Sequence, residues 1–427
     1  MTGRFAILTL ICISSLTAHA EDWPQFRGKN RDGKSTETGL WASLKNGPPK
    51  LAWMAEGIGE GYASVSVVGD RIYTSGNTGN GQAVFALSAA DGSGIWSTPI
   101  TGKDPKHDYK GSRSTPTVDG DRMYVVGSGG NIVCLKCSDG QVIWTREFSE
   151  WDGKMMSGWG YSESPLIDGD RVLCTPGGPK GMIVALNKLS GETIWSATLP
   201  DYGSEKGRNG APLQDGSGYS SIMLSNGGGV KQYVQLVGRG VIGVRASDGH
   251  LLWRYDGVAN GTANIPTVLI DGDFVFCSTA YNTGSGLLKL AASAKDEVSM
   301  TVVYQLEANQ LQNKHGGMIL HDGYIFCGHG NGNGNPICFN MAKKEVSWGP
   351  ERAPGSGESS ICYADGHLVF RRDNGEVVLL QASPEKMNVV TSFKPEFQSG
   401  KSWAYPVVAN GKLYLREQNK LMCYEAR

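Results

Sequence analysis

One pattern recurs along this chain and limits what it can become: a β-rich run, a turn of Gly-Asp, Asp-Gly or Asn-Gly, a second β-rich run, then a third that ends in Asp-Gly and Trp. Self-similarity at a period of roughly 40–50 residues marks units that cannot bury a face alone and must stack on their neighbours. The turn glycines are Gly69, Gly120, Gly169, Gly272, Gly323, Gly366 and Gly411, at intervals of 51, 49, 103, 51, 43 and 45 residues. The interval of 103 holds two units, because residues 220–224 and 231–236 read as strands around Asn226-Gly227-Gly228-Gly229. Eight units result.

Each unit opens with a hairpin. Turns such as Asn410-Gly411 and Asp322-Gly323 need positive φ, which glycine gives without steric cost, and their twist matches the strands they join. Arg71-Ile72-Tyr73, Arg122-Met123-Tyr124 and Lys412-Leu413-Tyr414 follow the turns, rich in residues suited to a half-buried strand. A third strand follows, and a fourth carries Trp96, Trp144, Trp195, Trp253 or Trp348; units five and seven lack this Trp and are expected to pack differently. Four antiparallel strands per unit of about 47 residues predict an all-β fold, an eight-bladed β-propeller. The last unit stops at Cys423-Tyr424 without a fourth strand, whereas Trp53 precedes the first hairpin. The N-terminal strand is therefore expected to complete the last blade and leave no terminal sheet edge unpaired.

Composition narrows the setting. With 60 glycines among 427 residues a mostly helical fold is disfavoured, and 40 Lys+Arg against 41 Asp+Glu exclude a nucleic-acid protein held by bulk positive charge. Arg4, the apolar run 5–16 and Ala18-His19-Ala20 read as a signal peptide cleaved after Ala20, and the run is too short to span a bilayer. We therefore expect a periplasmic or secreted monomer without an integral membrane segment: a signal peptide at 1–20, an N-terminal strap at 21–49, to whose residues 23–33 the sequence assigns no role beyond covering a blade face, and the propeller at 50–427.

The Asp-Gly followed four residues later by Trp resembles the pyrroloquinoline-quinone-type (PQQ-like) propeller repeat over roughly residues 50–427. Trp23-Pro24-Gln25-Phe26-Arg27-Gly28 and Asn30-Arg31-Asp32-Gly33 further resemble secreted PQQ-like propeller proteins of environmental bacteria. At repeat level the chain is also similar to the propeller of outer-membrane assembly machinery and to quinoprotein dehydrogenases. One propeller hosts enzymes and scaffolds alike, so the resemblance specifies fold better than chemistry.

Eight cysteines follow the leader, but Cys174, Cys277 and Cys327 share one strand slot and Cys134, Cys338 and Cys423 another, which reads as small core residues rather than a disulfide framework. Cys134 and Cys137 have redox-motif spacing in a strand setting, where their side chains point to opposite faces. His315 and His329 lie at one end of a blade and are the one histidine pair placed to share a metal; each also reads as an ordinary imidazole, and no metal is assigned.

The loops leading into the first strands surround one mouth of the channel, and unlike the core slots they differ from blade to blade. They supply Tyr62, Arg113, Trp159, Tyr161, Glu163, Tyr219, Asn260, Asn264, His315, Glu358 and Trp403 as candidate ligand-binding residues. A concave site with a few convergent polar groups fits that variation; a solvated collar pairing Arg113 with Glu163 is the competing structural reading. The favoured function is a non-catalytic scaffold that binds an envelope protein, peptide or glycan, with no catalytic residue and no cofactor assigned. The alternative implied by resemblance is a PQQ- and calcium-dependent dehydrogenase of an alcohol or sugar, with Glu163 and Asn264 as calcium-binding oxygens and Trp159 or Trp403 beneath the quinone. The adjacent Cys-Cys pair that alcohol-oxidising members place against the quinone is absent.

Overall fold

In the computed structural model, which describes residues 21–427, the two-residue turns adopt the mirror-image geometry that twisted hairpins require. Asp322 and Gly323 have φ of 51° and 81° between paired His321 and Tyr324, and Asn410 and Gly411 have 54° and 71° between Ala409 and Lys412. The expected signal peptide at 1–20 lies outside the described residues.

Each hairpin grows into an antiparallel sheet of four strands, and there are eight such sheets. Their first strands are Ser66–Val68, Thr117–Asp119, Leu166–Asp168, Met223–Ser225, Leu269–Asp271, Met318–His321, Ser359–Ala364 and Val407–Ala409, defining blades 1 to 8. First strands of neighbouring blades touch one another, which sets them around the axis. Among the described residues, no helix is long and apolar enough to cross a membrane.

The ring closes as the sequence predicts. Leu51–Glu56 pairs antiparallel with Lys420–Glu425, with Leu51 opposite Tyr424 and Trp53 opposite Cys423, and becomes the outer strand of blade 8.

The repeated Trp and the repeated Gly prove to be two halves of one contact. Trp96 of blade 1 donates its indole N–H to the Cys137 carbonyl of blade 2 at 3.2 Å, and a Cβ on Gly140 would lie 2.5 Å from its ring. Trp144 repeats this on Lys188 and Gly191, Trp195 on Ala246 and Gly249, and Trp53 lies against Gly92. Any side chain larger than hydrogen would push the indole out of the seam. Blade 5 has no Trp here; Tyr304 sends its hydroxyl to the Met341 carbonyl of blade 6 at 2.7 Å instead. Trp253 departs from the pattern and turns to Gln232 of its own blade, at 2.6 Å. All eight described cysteines are unpaired thiols, seven of them buried.

Residues 21–49 do not cover a blade face. They cross the hairpin-turn end of the channel and bind the first strands across it. Trp23 exchanges backbone bonds with Val67 of blade 1, and Pro24 accepts from Val118 of blade 2. Arg31 donates to the Ser164 and Pro165 carbonyls of blade 3 at 2.8 and 3.0 Å, and Arg27 to the Met318 carbonyl of blade 6. Lys34–Ser35 then adds a short parallel strand beside Tyr363 and Ala364 of blade 7. Arg27 and Arg31 are each 3% exposed and are neutralised mainly by carbonyl dipoles; burial lowers the pKa of Arg31 to about 10.

Candidate functional site: an aromatic cup at the channel mouth

The site rests on a second repeating feature, a collar of hydroxyls just before the first strands of blades 1 to 5. The Ser64 amide donates to Thr115 Oγ1 (3.1 Å), the Thr115 amide to Ser164 Oγ (3.0 Å), the Ser164 amide to Ser221 Oγ (3.0 Å) and the Ser221 amide to Thr267 Oγ1 (3.2 Å). Extended backbone at the axis has donors with no strand partner, and a Ser or Thr one blade onward satisfies each. Blades 6 and 8 break the collar with Gly317 and Tyr405. That break admits the strap: a Cβ on Gly317 would meet Arg27 Nη1 at 2.2 Å, and Phe26 packs edge-on against Tyr405 at 5.1 Å.

Above the collar lies a cavity of ≈ 410 Å³. Phe26 and Tyr405 reach it from the strap side, and the leading loops contribute Tyr62, Trp159, Tyr219 and Trp403. Tyr109, Tyr281, His315 and Ile265 complete its apolar and aromatic wall. Trp403 is the hub: its ring centre is 4.9 Å from Tyr62, 4.8 Å from Tyr109 and 5.1 Å from His315, and its indole N–H is held by Asp373 at 2.8 Å. Trp159 and Tyr219 form a second pair at 6.0 Å. Burial against these rings lowers the His315 pKa to about 4, so the imidazole is neutral at pH 7.

The charged groups of the cup differ in how they are compensated. Asp373 takes Lys401 at 3.1 Å as well as the indole. Arg113 does not pair with Glu163: it donates to the Asp108, Tyr109 and Gly111 carbonyls and to His107, pinning the loop 107–111, and sits 5.5 Å over the Tyr62 ring. Lys314 lies 5.6 Å over Tyr281. Glu358 is 2% exposed and neither oxygen accepts a hydrogen bond of ordinary geometry; burial raises its pKa to about 7.

Seven of the eleven residues singled out from sequence line this cup: Tyr62, Arg113, Trp159, Tyr219, His315, Glu358 and Trp403. Tyr161, Glu163, Asn260 and Asn264 do not. Tyr161 packs on Phe148 at 4.9 Å and donates to the Pro176 carbonyl. Glu163 accepts from the Thr175 amide (2.6 Å), the Thr175 hydroxyl (2.9 Å) and Gln235 (3.2 Å), and burial still raises its pKa to about 8. Asn260 and Asn264 bond each other at 2.9 Å, and Asn264 donates to the Val237 carbonyl at 2.8 Å.

The physical cause is parity. Residues 62 and 64, 113 and 115, 219 and 221, 263, 265 and 267, and 403 and 405 line the cavity, whereas 63, 114, 220, 264 and 404 do not. In blades 1, 2, 4, 5 and 8 the strand period of two continues from the first strands into the mouth loops, so neighbours point to opposite sides. Consecutive residues 314–316 and 357–358 line the cavity in blades 6 and 7, and Trp159 breaks the alternation in blade 3. Ser162 lines the cup and Glu163 therefore points into the wall. Extending that alternation outward from each hairpin would have rejected Glu163, Asn260, Asn264 and Tyr161, and with them Trp159, which does line the cup. Lys314 and Lys401 stand in the mouth loops beside His315 and Trp403 but were not singled out. Tyr109 comes from the long excursion leading into blade 2, and Tyr281 and Asp373 from loops after second strands that no repeat position announces.

The oxygen donors that the PQQ-calcium reading offers, Glu163 and Asn264, are thus spent on wall hydrogen bonds, and the donor set of that reading does not fit. His329 accepts the Gln312 amide at Nδ1 (3.3 Å). Among the described residues no group of three or more His, Cys, Asp or Glu is set to hold a metal ion.

Comparison with known proteins agrees with the architecture. The family described as "Outer membrane protein assembly factor BamB" matches residues 80–350. The tetrathionate hydrolase of Acidianus ambivalens is 28% identical over 177 residues, 35% of this chain and 31% of that protein. The chain spans less than a third of the length of the curated relatives it matches. Among solved structures, BamB from Moraxella catarrhalis superposes with a TM-score of 0.61 at 13% identity, covering 88% of this chain and 98% of that one. The quinohemoprotein alcohol dehydrogenase ADHIIG from Pseudomonas putida HK5 gives 0.64 at 14% identity, covering 95% and 80%. At such identities the structural likeness speaks for the fold alone.

Proposed function

Since the chain belongs to the family described as outer membrane protein assembly factor BamB, we propose that it is an envelope propeller that binds a ligand at its channel mouth without transforming it. The observation that carries this reading is the aromatic cup itself. Rings supply large contact area at little cost in side-chain entropy, and the polar groups converge on the same space. The calcium-binding oxygens of the enzyme reading, Glu163 and Asn264, are meanwhile tied into the wall.

The occupant is an envelope peptide, protein segment or glycan, met after export to the periplasm or beyond. Binding would use Trp403, Tyr62 and Tyr109 as one stacking surface and Trp159 with Tyr219 as another, while Arg113 keeps the loop 107–111 folded over the rim.

Arrays of periplasmic peptides and envelope glycans, read with the purified protein, test this directly. A ligand is expected whose affinity falls at least tenfold in Trp403→Ala and in Trp159→Ala while the melting temperature stays within about 3 °C of wild type. Equal losses of affinity and stability would make those residues structural. PQQ with calcium is expected to give neither a thermal shift nor dye-linked alcohol oxidation; turnover would overturn the reading. Tetrathionate belongs in the same panel, given the hydrolase relative, and its breakdown would overturn the reading too.

A further inference from the structure

We infer that the occupant of the cup presents an organic cation, a protonated amine or a guanidinium, to Glu358 within the aromatic wall. This rests on the binding function proposed above and names the chemistry of its ligand.

A buried acid without hydrogen bonds is costly, and such groups in folded proteins have a reason to be left open. Glu358 lines the cavity, is 2% exposed and has no side-chain partner and no hydrogen bond of ordinary geometry on either oxygen. The nearby Gly332 amide, Lys314 and Arg372 favour its charged form, and Asp373 opposes it. None of the cations closes a salt bridge with it among the described residues. Arg372 is committed to the Gly334 and Asn333 carbonyls and the Ser359 hydroxyl, and Lys401 to Asp373. Lys314 rests over Tyr281, whose hydroxyl lies close enough for Glu358 to raise its pKa. Glu358 is therefore the one acid of the cup that an incoming cation would find uncompensated.

The walls select what kind of cation fits. Electron-rich ring faces attract a soft, delocalised or alkyl-bearing cation at little desolvation cost. A hard divalent ion wants six or more oxygens, and here the acids are only Glu358 and the already paired Asp373. Asp373 also holds the Trp403 indole in place, so its charge orders the ring hub rather than waiting for a ligand.

Isothermal titration at pH 8 with the dication agmatine, with the uncharged alcohol 1-pentanol and with the dianion glutarate tests the assignment. Agmatine is expected to bind at least tenfold more tightly than either of the others. Glu358→Gln should reduce its affinity at least tenfold and leave the protein folded, with a melting temperature no lower than wild type at that pH. Lys314→Met, which removes a competing positive charge of the cup, should tighten agmatine binding two- to fivefold. Preference for glutarate, or agmatine binding unchanged in Glu358→Gln, would overturn the cation while leaving a ligand-binding mouth in place. Heat from none of the probes would also overturn it, and the peptide and glycan arrays would then decide the binding function independently.

Discussion

The belt between blades and the cup at the mouth are built on the same eightfold scaffold by opposite rules. In the belt a residue recurs because its neighbour recurs: Trp96, Trp144 and Trp195 each need a glycine one blade onward, and the hydroxyl collar runs from Ser64 to Thr267 by the same logic. In the cup the chemistry changes around the ring, with only the Tyr62 and Tyr219 slot alike; Tyr62, Arg113, Trp159, Tyr219, His315, Glu358 and Trp403 stand in comparable loops. Repetition is what packing identical seams demands, and variation is what remains where only a ligand constrains the surface. The strap joins the two regions, because it enters where the collar fails at Gly317 and Tyr405 and places Phe26 beneath the cup.

That contrast can be attacked from the belt first. Gly191→Val puts a branched side chain at φ 76°, with its Cβ 2.8 Å from the Trp144 ring, and should cost about 3 kcal/mol from backbone strain and overpacking together. Denaturant unfolding measures it; a loss within 0.5 kcal/mol, on the order of an ordinary surface substitution, would show that the Trp–Gly seam is incidental.

Next is the one group of the cup that works against the fold. The Glu358 pKa is raised above its unfolded value to about 7, so the native state holds its proton longer and stability falls as pH rises from the unfolded value to 7. The groups acting on it are Lys314, Arg372, Asp373, the Gly332 amide and Tyr281. Glu358→Gln should consequently be about 1–3 kcal/mol more stable than wild type at pH 8, with the difference shrinking toward zero by pH 4. Comparing the two proteins at each pH isolates this acid from His315, whose lowered pKa works in the other direction. A wild type that stayed the more stable of the two at pH 8 would place a compensating partner on Glu358.

The collar should respond more mildly. Thr115→Val keeps the shape but removes the acceptor of the Ser64 amide, for an expected loss of about 1–2 kcal/mol. Trp403→Ala should do least to stability, within about 1 kcal/mol, because its ring is only partly buried and belongs to neither the seams nor the collar, yet do most to binding. If its stability loss matched that of Gly191→Val, the cup would be a continuation of the belt rather than a site.

Much of this molecule can be read from residues in order. The turn glycines, the recurring Trp and the missing final strand dictate eight blades and the pairing of Leu51–Glu56 with Lys420–Glu425, since each is a local pattern repeated until its meaning is unambiguous. The mouth loops were legible as a group, and strand parity would have sorted most of their members. Tertiary structure alone decided where the strap lies, because Arg27 and Arg31 reach carbonyls 291 and 133 residues away and nothing local specifies those partners. It alone decided, too, which charges of the cup are already answered: Asp373 and Lys401 meet across 28 residues, while Glu358 closes no salt bridge among the described residues. Periodicity fixes what a chain repeats; compensation of charge depends on distances in space, which only the closed ring creates.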